Sequence, residues 1–183
     1  MERLKGILYS SLFVVALGCG SPGSTTVTDT EGNKVTSTKD GEKVTFEGAK
    51  GEKATYEADG KGGGSMTYTT PEGEQKVTTG AGITETELGL PFYPGSVEKE
   101  GGSMKTDTPQ GSSRIAVRTT ADAPSKVVAF YKPKLKETNA ISANGQEILM
   151  GKLEDGSQVQ IGAGKEEGKP DTVVSVTVIK EKG

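Results

Sequence analysis

Ser96-Val97-Glu98-Lys99 has the S-x-x-K spacing with which a serine–lysine pair performs acyl transfer. That chemistry puts the serine at the start of a helix, so that the lysine one turn on reaches its hydroxyl. Here the surrounding residues alternate as a strand, where positions three apart point to opposite faces. No S-D-N or K-T-G element accompanies the pair, so the match is one of spacing alone. Gly60-Lys61-Gly62-Gly63-Gly64-Ser65 and Gly162-Ala163-Gly164-Lys165 have the composition of phosphate cradles. A cradle must open a helix whose N-terminus faces the anion. Both stretches lead instead into strand-like or polar turn sequence, and they read as flexible loops. Asp29-Thr30-Glu31-Gly32-Asn33 and Glu154-Asp155-Gly156 lack the carboxylate spacing of a calcium loop and read as acidic hairpin turns. Carboxylate pairs hydrolyse glycosides when held roughly 5–10 Å apart in a cleft. The acids of this chain fall mostly on turns and solvent faces, and nothing predicts a cleft.

The remaining reactive types are scarce. There is no His, which removes the commonest metal ligand and general base. The single Cys, Cys19, excludes an internal disulfide and a cysteine-cluster zinc site, so neither a metal nor a cofactor is expected. Lys and Arg number 22 against 25 Asp and Glu, a net charge of −3, which gives no electrostatic case for nucleic acid.

The position of Cys19 carries its own chemistry. Arg3 and Lys5 form a short positive segment, followed by uncharged apolar sequence from Ile7 to Leu17 and then small residues. The apolar run falls well short of the roughly 20 residues of a membrane-spanning helix and fits a processed export signal. Val15-Ala16-Leu17-Gly18-Cys19 resembles the lipobox of bacterial lipoproteins. The family commonly has Leu three residues before the cysteine, where this chain has Ala16. The resemblance implies a diacylglycerol thioether on Cys19, cleavage before it, and acylation of the new amino terminus. It also implies, through Gly20 rather than Asp after the cysteine, sorting to the outer membrane if the host has two membranes. Two or more acyl chains hold a protein stably to a bilayer without any transmembrane helix.

Composition then divides the mature chain. Residues 1–18 read as the signal peptide and 19–24 as a lipid-anchored linker. Residues 25–82 contain no Leu and only Ile-free, Thr/Gly/Lys/Glu-rich sequence up to Gly82, and turn signals such as Asp40-Gly41-Glu42-Lys43 and Asp59-Gly60-Lys61 recur about every ten residues. Val44 and Phe46, Ala54 and Tyr56, Met66 and Tyr68 alternate with Thr, Lys and Glu, the pattern of an antiparallel meander with one weakly apolar face. So few large side chains barely offset the ordering entropy of the segment. The meander is therefore expected to lean on something else or to be partly flexible. From Ile83 onward Leu, Ile and Val return in clusters. Strands are expected at 97–106, 114–120, 147–153, 158–162 and 172–180. Asp122-Ala123-Pro124 predicts a helix start, with Asp122 as the cap; Val127, Val128, Phe130, Tyr131, Lys134 and Leu135 form its stripe, and Pro133 bends or ends it. Residues 83–183 are thus expected to form an α+β domain of β-β-α-β-β-β order, one helix on an antiparallel sheet, with the whole chain β-rich. The segment Leu90-Pro91-Phe92-Tyr93-Pro94-Gly95 and a helix carrying Phe130-Tyr131 and Leu135 resemble a loosely defined set of small uncharacterised bacterial lipoproteins, a likeness that implies no activity.

Two surfaces are candidates for contact with a protein partner. Phe92 and Tyr93 stand between Pro91 and Pro94, which stiffen the loop; the rings face a partner or plug the space between helix and sheet. The apolar row Val44, Phe46, Tyr56, Met66 and Tyr68 docks a peptide or another lipoprotein, or covers the C-terminal sheet. The expected function is that of a non-enzymatic, membrane-anchored envelope lipoprotein that binds or supports. The alternatives are a hydrolase of envelope glycan or peptide using Asp or Glu, and a small-ligand or lipid carrier with a cavity between helix and sheet.

Overall fold

The computed structural model describes residues 23–71, 73–80 and 82–182. The expected signal segment and Cys19 lie outside them. Six strands open the described chain: β1 (Ser24–Thr28), β2 (Lys34–Thr38), β3 (Lys43–Glu47), β4 (Lys53–Ala58), β5 (Gly64–Thr70) and β6 (Gly73–Thr79). A four-residue helix follows, α1 (Glu85–Leu88), and then β7 (Val97–Glu98), β8 (Met104–Thr108) and β9 (Gly111–Thr120). Helix α2 (Pro124–Tyr131) runs into a single 3-10 turn, Lys132–Lys134. β10 (Lys136–Ala143), β11 (Gln146–Lys152), β12 (Gln158–Lys165) and β13 (Thr172–Glu181) complete the order.

All thirteen strands belong to one antiparallel sheet in the order β1-β2-β3-β4-β5-β6-β8-β9-β13-β12-β11-β10, with β7 paired to the far end of β9. The described residues are 54% strand and 9% helix. The expected α+β class is therefore wrong; the protein is mostly β, and its helices are short accessories on one sheet. The misreading has a local cause. The apolar stripe from Val127 to Leu135 predicts a helical layer, whereas α2 is eight residues long and packs on β11, β12 and β13.

Local chemistry explains the hairpins. Asp40 accepts a hydrogen bond from the Glu42 amide at 3.1 Å while Gly41 takes φ of +74°, a left-handed conformation that costs glycine nothing. Asp59 does the same for Lys61 and Gly63 at 2.8 and 2.9 Å. Gly63 then packs on the end of β6 so closely that a Cβ there would lie 2.4 Å from the Thr79 carbonyl. Helix α1 has a capping box between Thr84 and Glu87 and ends at Gly89 in the left-handed conformation. Helix α2 starts at Pro124, but its N-cap is Ala123 without a side-chain bond. Asp122, expected to cap it, instead accepts from the Tyr93 hydroxyl and pairs with Lys126. Pro133 ends the α-helix as expected, at the 3-10 turn.

The register assigns every side chain to a face. Leu149, Ile161, Val176 and Ala116 lie opposite one another on adjacent strands, as do Val159 and Val178. All are buried beneath Val127, Val128, Tyr131, Leu88 and Leu90, which come from the helices and the lead-in. This is the core, and it covers one face of the C-terminal half alone. In the meander the same face is polar. Thr26, Thr36, Thr45, Thr55 and Thr67 form one row across β1–β5, with Thr26 and Thr36 hydroxyls 3.0 Å apart. Flanking rows alternate in charge, with Lys43–Glu57 at 2.6 Å and Lys53–Glu47 at 3.5 Å. Cross-strand pairs of this kind each contribute roughly 0.2–1 kcal/mol. They let a sheet without a second layer hold its order, with β6 pairing β8 as its junction to the cored half.

The charge network also sets a pH response. Asp155 is held down at about 2 by the Ser157 side chain and amide and by Lys180. Glu87 is held at about 2 by Lys105, and Glu166 at about 2 by Lys169 and then Lys99. The turn carboxylates Asp29, Asp40 and Asp59 are lowered by hydrogen bonds within their own loops. Each carboxylate is more acidic folded than unfolded, so its contribution is complete above the ordinary values of 3.8 and 4.5 and fades as pH falls toward 2. With no histidine, no side chain of ordinary pKa titrates between pH 5.5 and 8. The melting temperature is expected to be flat across that range and to fall steadily below about pH 4.5. A thermal-unfolding series by circular dichroism checks this, and a transition near pH 6.5 would contradict it.

Candidate interaction surface

The residues with catalytic spacing are not assembled. Ser96 donates its hydroxyl proton to the Tyr93 carbonyl at 2.6 Å and accepts from Arg118 Nε at 2.8 Å, while Lys99 pairs with Glu166. Gly162-Ala163-Gly164-Lys165, expected to be a flexible loop, lies inside β12. Its glycines are strand positions and open no helix. Both Asp29 carboxylate oxygens accept hydrogen bonds from their own turn, and the described residues contain no group of three potential metal ligands.

Phe92 and Tyr93 sit at the corner where the lead-in meets α2 and β9. The Phe92 amide donates to Glu85 Oε1 at 2.7 Å, and its ring lies 4.0 Å below the Arg118 guanidinium. Tyr93 is buried, packs edge-on against Phe130 at 5.4 Å, and donates to Asp122 at 2.9 Å. Phe130 in turn meets Tyr131 edge-on at 4.9 Å, and burial pushes the Tyr131 phenol up to about 12. Tyr93 thus joins helix to sheet, and Phe92 keeps a half-buried ring beside it. The volume between α2 and the sheet is filled by Val127, Tyr131, Leu149, Ile161 and Val174, each with at most 1% of its surface exposed.

The meander's apolar row has a different setting. Val35, Phe46, Ala54 and Tyr68 face one another across β2–β5, and Val44, Tyr56, Met66 and Val77 form the next row. The register carries that row through Thr106, Ser113 and Ile179 to Gln158 and Lys152. A third row runs Thr79, Met104, Ile115, Thr177, Gln160, Met150. The row does not cover the C-terminal sheet; the sheet continues from it edge to edge through β6 and β8. Both halves share this open face, on the side away from the helices.

Two properties distinguish it. Its side chains are half-buried or exposed throughout, including Phe46 at 38%, Tyr56 at 46% and Met66 at 48%. Charge is almost missing from its β1–β9 part. From β1 to β9 no strand residue on the open face is ionisable apart from the Tyr56 and Tyr68 phenols, whereas further on Lys136, Lys152 and Glu181 occur, and Glu137, Glu147, Lys165 and Glu166 line its depressions across β11–β13. In a chain that is 26% charged, the Lys and Glu of the meander strands all point the other way. The half of this surface built from Met104, Ile115, Val117, Ile148, Met150 and Ile179 was not among the expected contact residues. Its signal was the presence of apolar residues on both faces of β9 and β13, since strands with one solvated face alternate instead.

No protein family, no curated protein and no solved structure matches the chain.

Proposed function

We propose that the protein is a lipid-anchored component of a bacterial cell envelope that works by non-covalent binding through the open face of its sheet. The observation that carries this reading is the near absence of charge from that face along the strand path from β1 to β9. A solvated single-layer sheet gains from charge on both sides, through solubility and discouragement of association. Here one side is charged and the other presents aromatic, aliphatic and hydroxyl groups, the composition of interface centres, from which charged residues are depleted. In this reading Cys19 supplies the membrane location, and the polar face stays in water.

The test compares the two faces in living cells. Single substitutions Tyr56→Cys, Met66→Cys and Ile148→Cys sit on the open face, and Thr45→Cys, Thr55→Cys and Thr67→Cys on the opposite one. After treatment with a bifunctional thiol reagent, the first set is expected to yield higher-mass adducts and the second set none. Equal adducts from both faces, or none from either, would remove the open face as a binding surface.

A further inference from the structure

A depression of about 440 Å³ lies at one turn end of the meander, larger than those of about 260 and 290 Å³ across β11–β13. Its volume falls within the roughly 300–1,000 Å³ of small-molecule sites. Register sets its floor. Phe46, Ala54 and Tyr68 stand opposite one another on β3, β4 and β5, so an alanine methyl separates two aromatic rings carried by strands roughly 10 Å apart. Both rings are 38% exposed. The walls are two hairpin turns. Asn33, at the end of the β1–β2 turn, accepts a hydrogen bond from the Ala49 amide at 3.0 Å and donates through Nδ2 to Asp29 at 2.8 Å. One side chain thus fastens the β1–β2 turn to the β3–β4 turn, and the walls are fixed before any ligand arrives.

Gly48 lies in the second wall, outside the left-handed region, so its backbone does not demand glycine. An added Cβ would lie 2.6 Å from Glu52 Oε2, because the Glu52 carboxylate folds back over the glycine at the edge of the depression. That carboxylate has neither an ion pair nor a hydrogen bond among the described residues, and the same holds for the Glu31 and Lys50 side chains on the rim. On the opposite face of the same strands the charges are paired, Lys43 with Glu57 and Lys53 with Glu47.

We propose that this depression is a binding site for a neutral saccharide. A pyranose ring has C–H faces that lie against aromatic rings and a rim of hydroxyls that both donate and accept. The depression supplies the matching set: two aromatic rings and a methyl below, two carboxylates that only accept, and an ammonium that only donates. Charge of both signs on one rim opposes a ligand of either net charge, which would meet a like charge together with its partner. A ligand without hydroxyls would strip water from these charged groups and return no hydrogen bonds. The site uses the turn end of the meander and leaves Tyr56, Met66 and Ile148 outside it, so it stands or falls separately from the open face as a docking surface.

Saturation-transfer difference NMR on the full-length protein tests this with a panel of neutral oligosaccharides of glucose, galactose, mannose and N-acetylglucosamine, and with tetramethylammonium and citrate as charged probes. The expected result is transfer to the C–H protons of at least one saccharide and to neither charged probe. Tyr68→Ala, which removes one ring at an exposed position, is expected to weaken saccharide binding about tenfold. Gly48→Ala, which displaces the Glu52 carboxylate, and Glu52→Gln, which removes its charge in place, are each expected to weaken it severalfold. Tyr56→Ala and Met66→Ala, on the same face but outside the depression, are expected to leave it unchanged. Circular dichroism checks that every variant keeps the strand signal. Transfer to a charged probe and to no saccharide would overturn the ligand class. Equal affinity in Tyr68→Ala and the wild type, equal losses at Tyr56 and Tyr68, or no transfer to any saccharide at millimolar concentration would overturn the site.

Discussion

Shortening Leu149 to alanine is expected to cost about 2–5 kcal/mol of folding stability, the range for a large aliphatic side chain removed from a packed core. Leu149 is fully buried, pairs directly with Ile161 on β12, and lies beneath the helix side of the sheet. Its loss leaves a cavity that α2 cannot fill without parting from β11 and β12. The matched substitution Met66→Ala, at a position 48% exposed on the open face, is expected to cost less than about 1 kcal/mol. Urea unfolding followed by far-ultraviolet circular dichroism separates the two. The meander has no buried layer of its own and joins the cored half through β6 and β8. The Leu149→Ala loss is therefore expected in the whole strand signal rather than a fraction of it. Equal costs at Leu149 and Met66 would mean that the helix-covered face is not what holds the sheet.

The second large effect concerns location. Cys19→Ala is expected to move the protein from the membrane fraction into the soluble fraction, or to leave it unprocessed with its leader attached. Two acyl chains with roughly a dozen buried CH₂ groups each, at about 0.8 kcal/mol per CH₂, supply on the order of 20 kcal/mol of membrane affinity. No helix among the described residues is long and apolar enough to cross a membrane in their place. Fractionation of cells expressing wild-type and Cys19→Ala chains measures this, together with the intact mass of the wild-type protein. A variant that stays in the membrane fraction with its leader removed would refute anchoring through Cys19.

Strong local rules were legible in the residues, and long-range pairing was not. The meander hairpins follow from Asp-Gly turns and period-two alternation, because a tight antiparallel turn fixes the pairing of its two strands. The start of α2 at Pro124 and its end before Pro133 also follow from single-residue chemistry. β10 has no apolar alternation to mark it, being an edge strand exposed at nearly every position with only Ile141 as a large apolar residue. A signal for it exists in Asn144-Gly145, which takes positive φ at both residues and turns β10 into β11. Helix α1, four residues long, is too short for any periodicity, although Thr84 and Glu87 spell its capping box. The joining of β6 to β8 had no local signature at all. It depends on register between segments separated by α1 and the lead-in, and it decides whether the apolar row faces the C-terminal sheet or extends it. For that reason half of the open face, from Met104 to Ile179, could not be assembled from sequence. The corner at Phe92 and Tyr93 was legible as a pair of rings in a stiff loop, but not its orientation, which the Asp122 and Arg118 contacts fix.

The strand order has a mechanical corollary. Each strand from β1 to β5 is bonded only to its sequence neighbours, and β1 is both an outermost strand and the one nearest Cys19 along the chain. Tension applied through a tethered amino terminus would enter the molecule at β1 and meet its hydrogen bonds one after another, as a zipper is opened, rather than all at once in shear. The hairpins would then peel in order and re-form in the reverse order, while the helix-backed half stayed folded beyond β8. Read this way, the threonine and ion-pair rows are a series of weak links, able to lengthen under load and recoil.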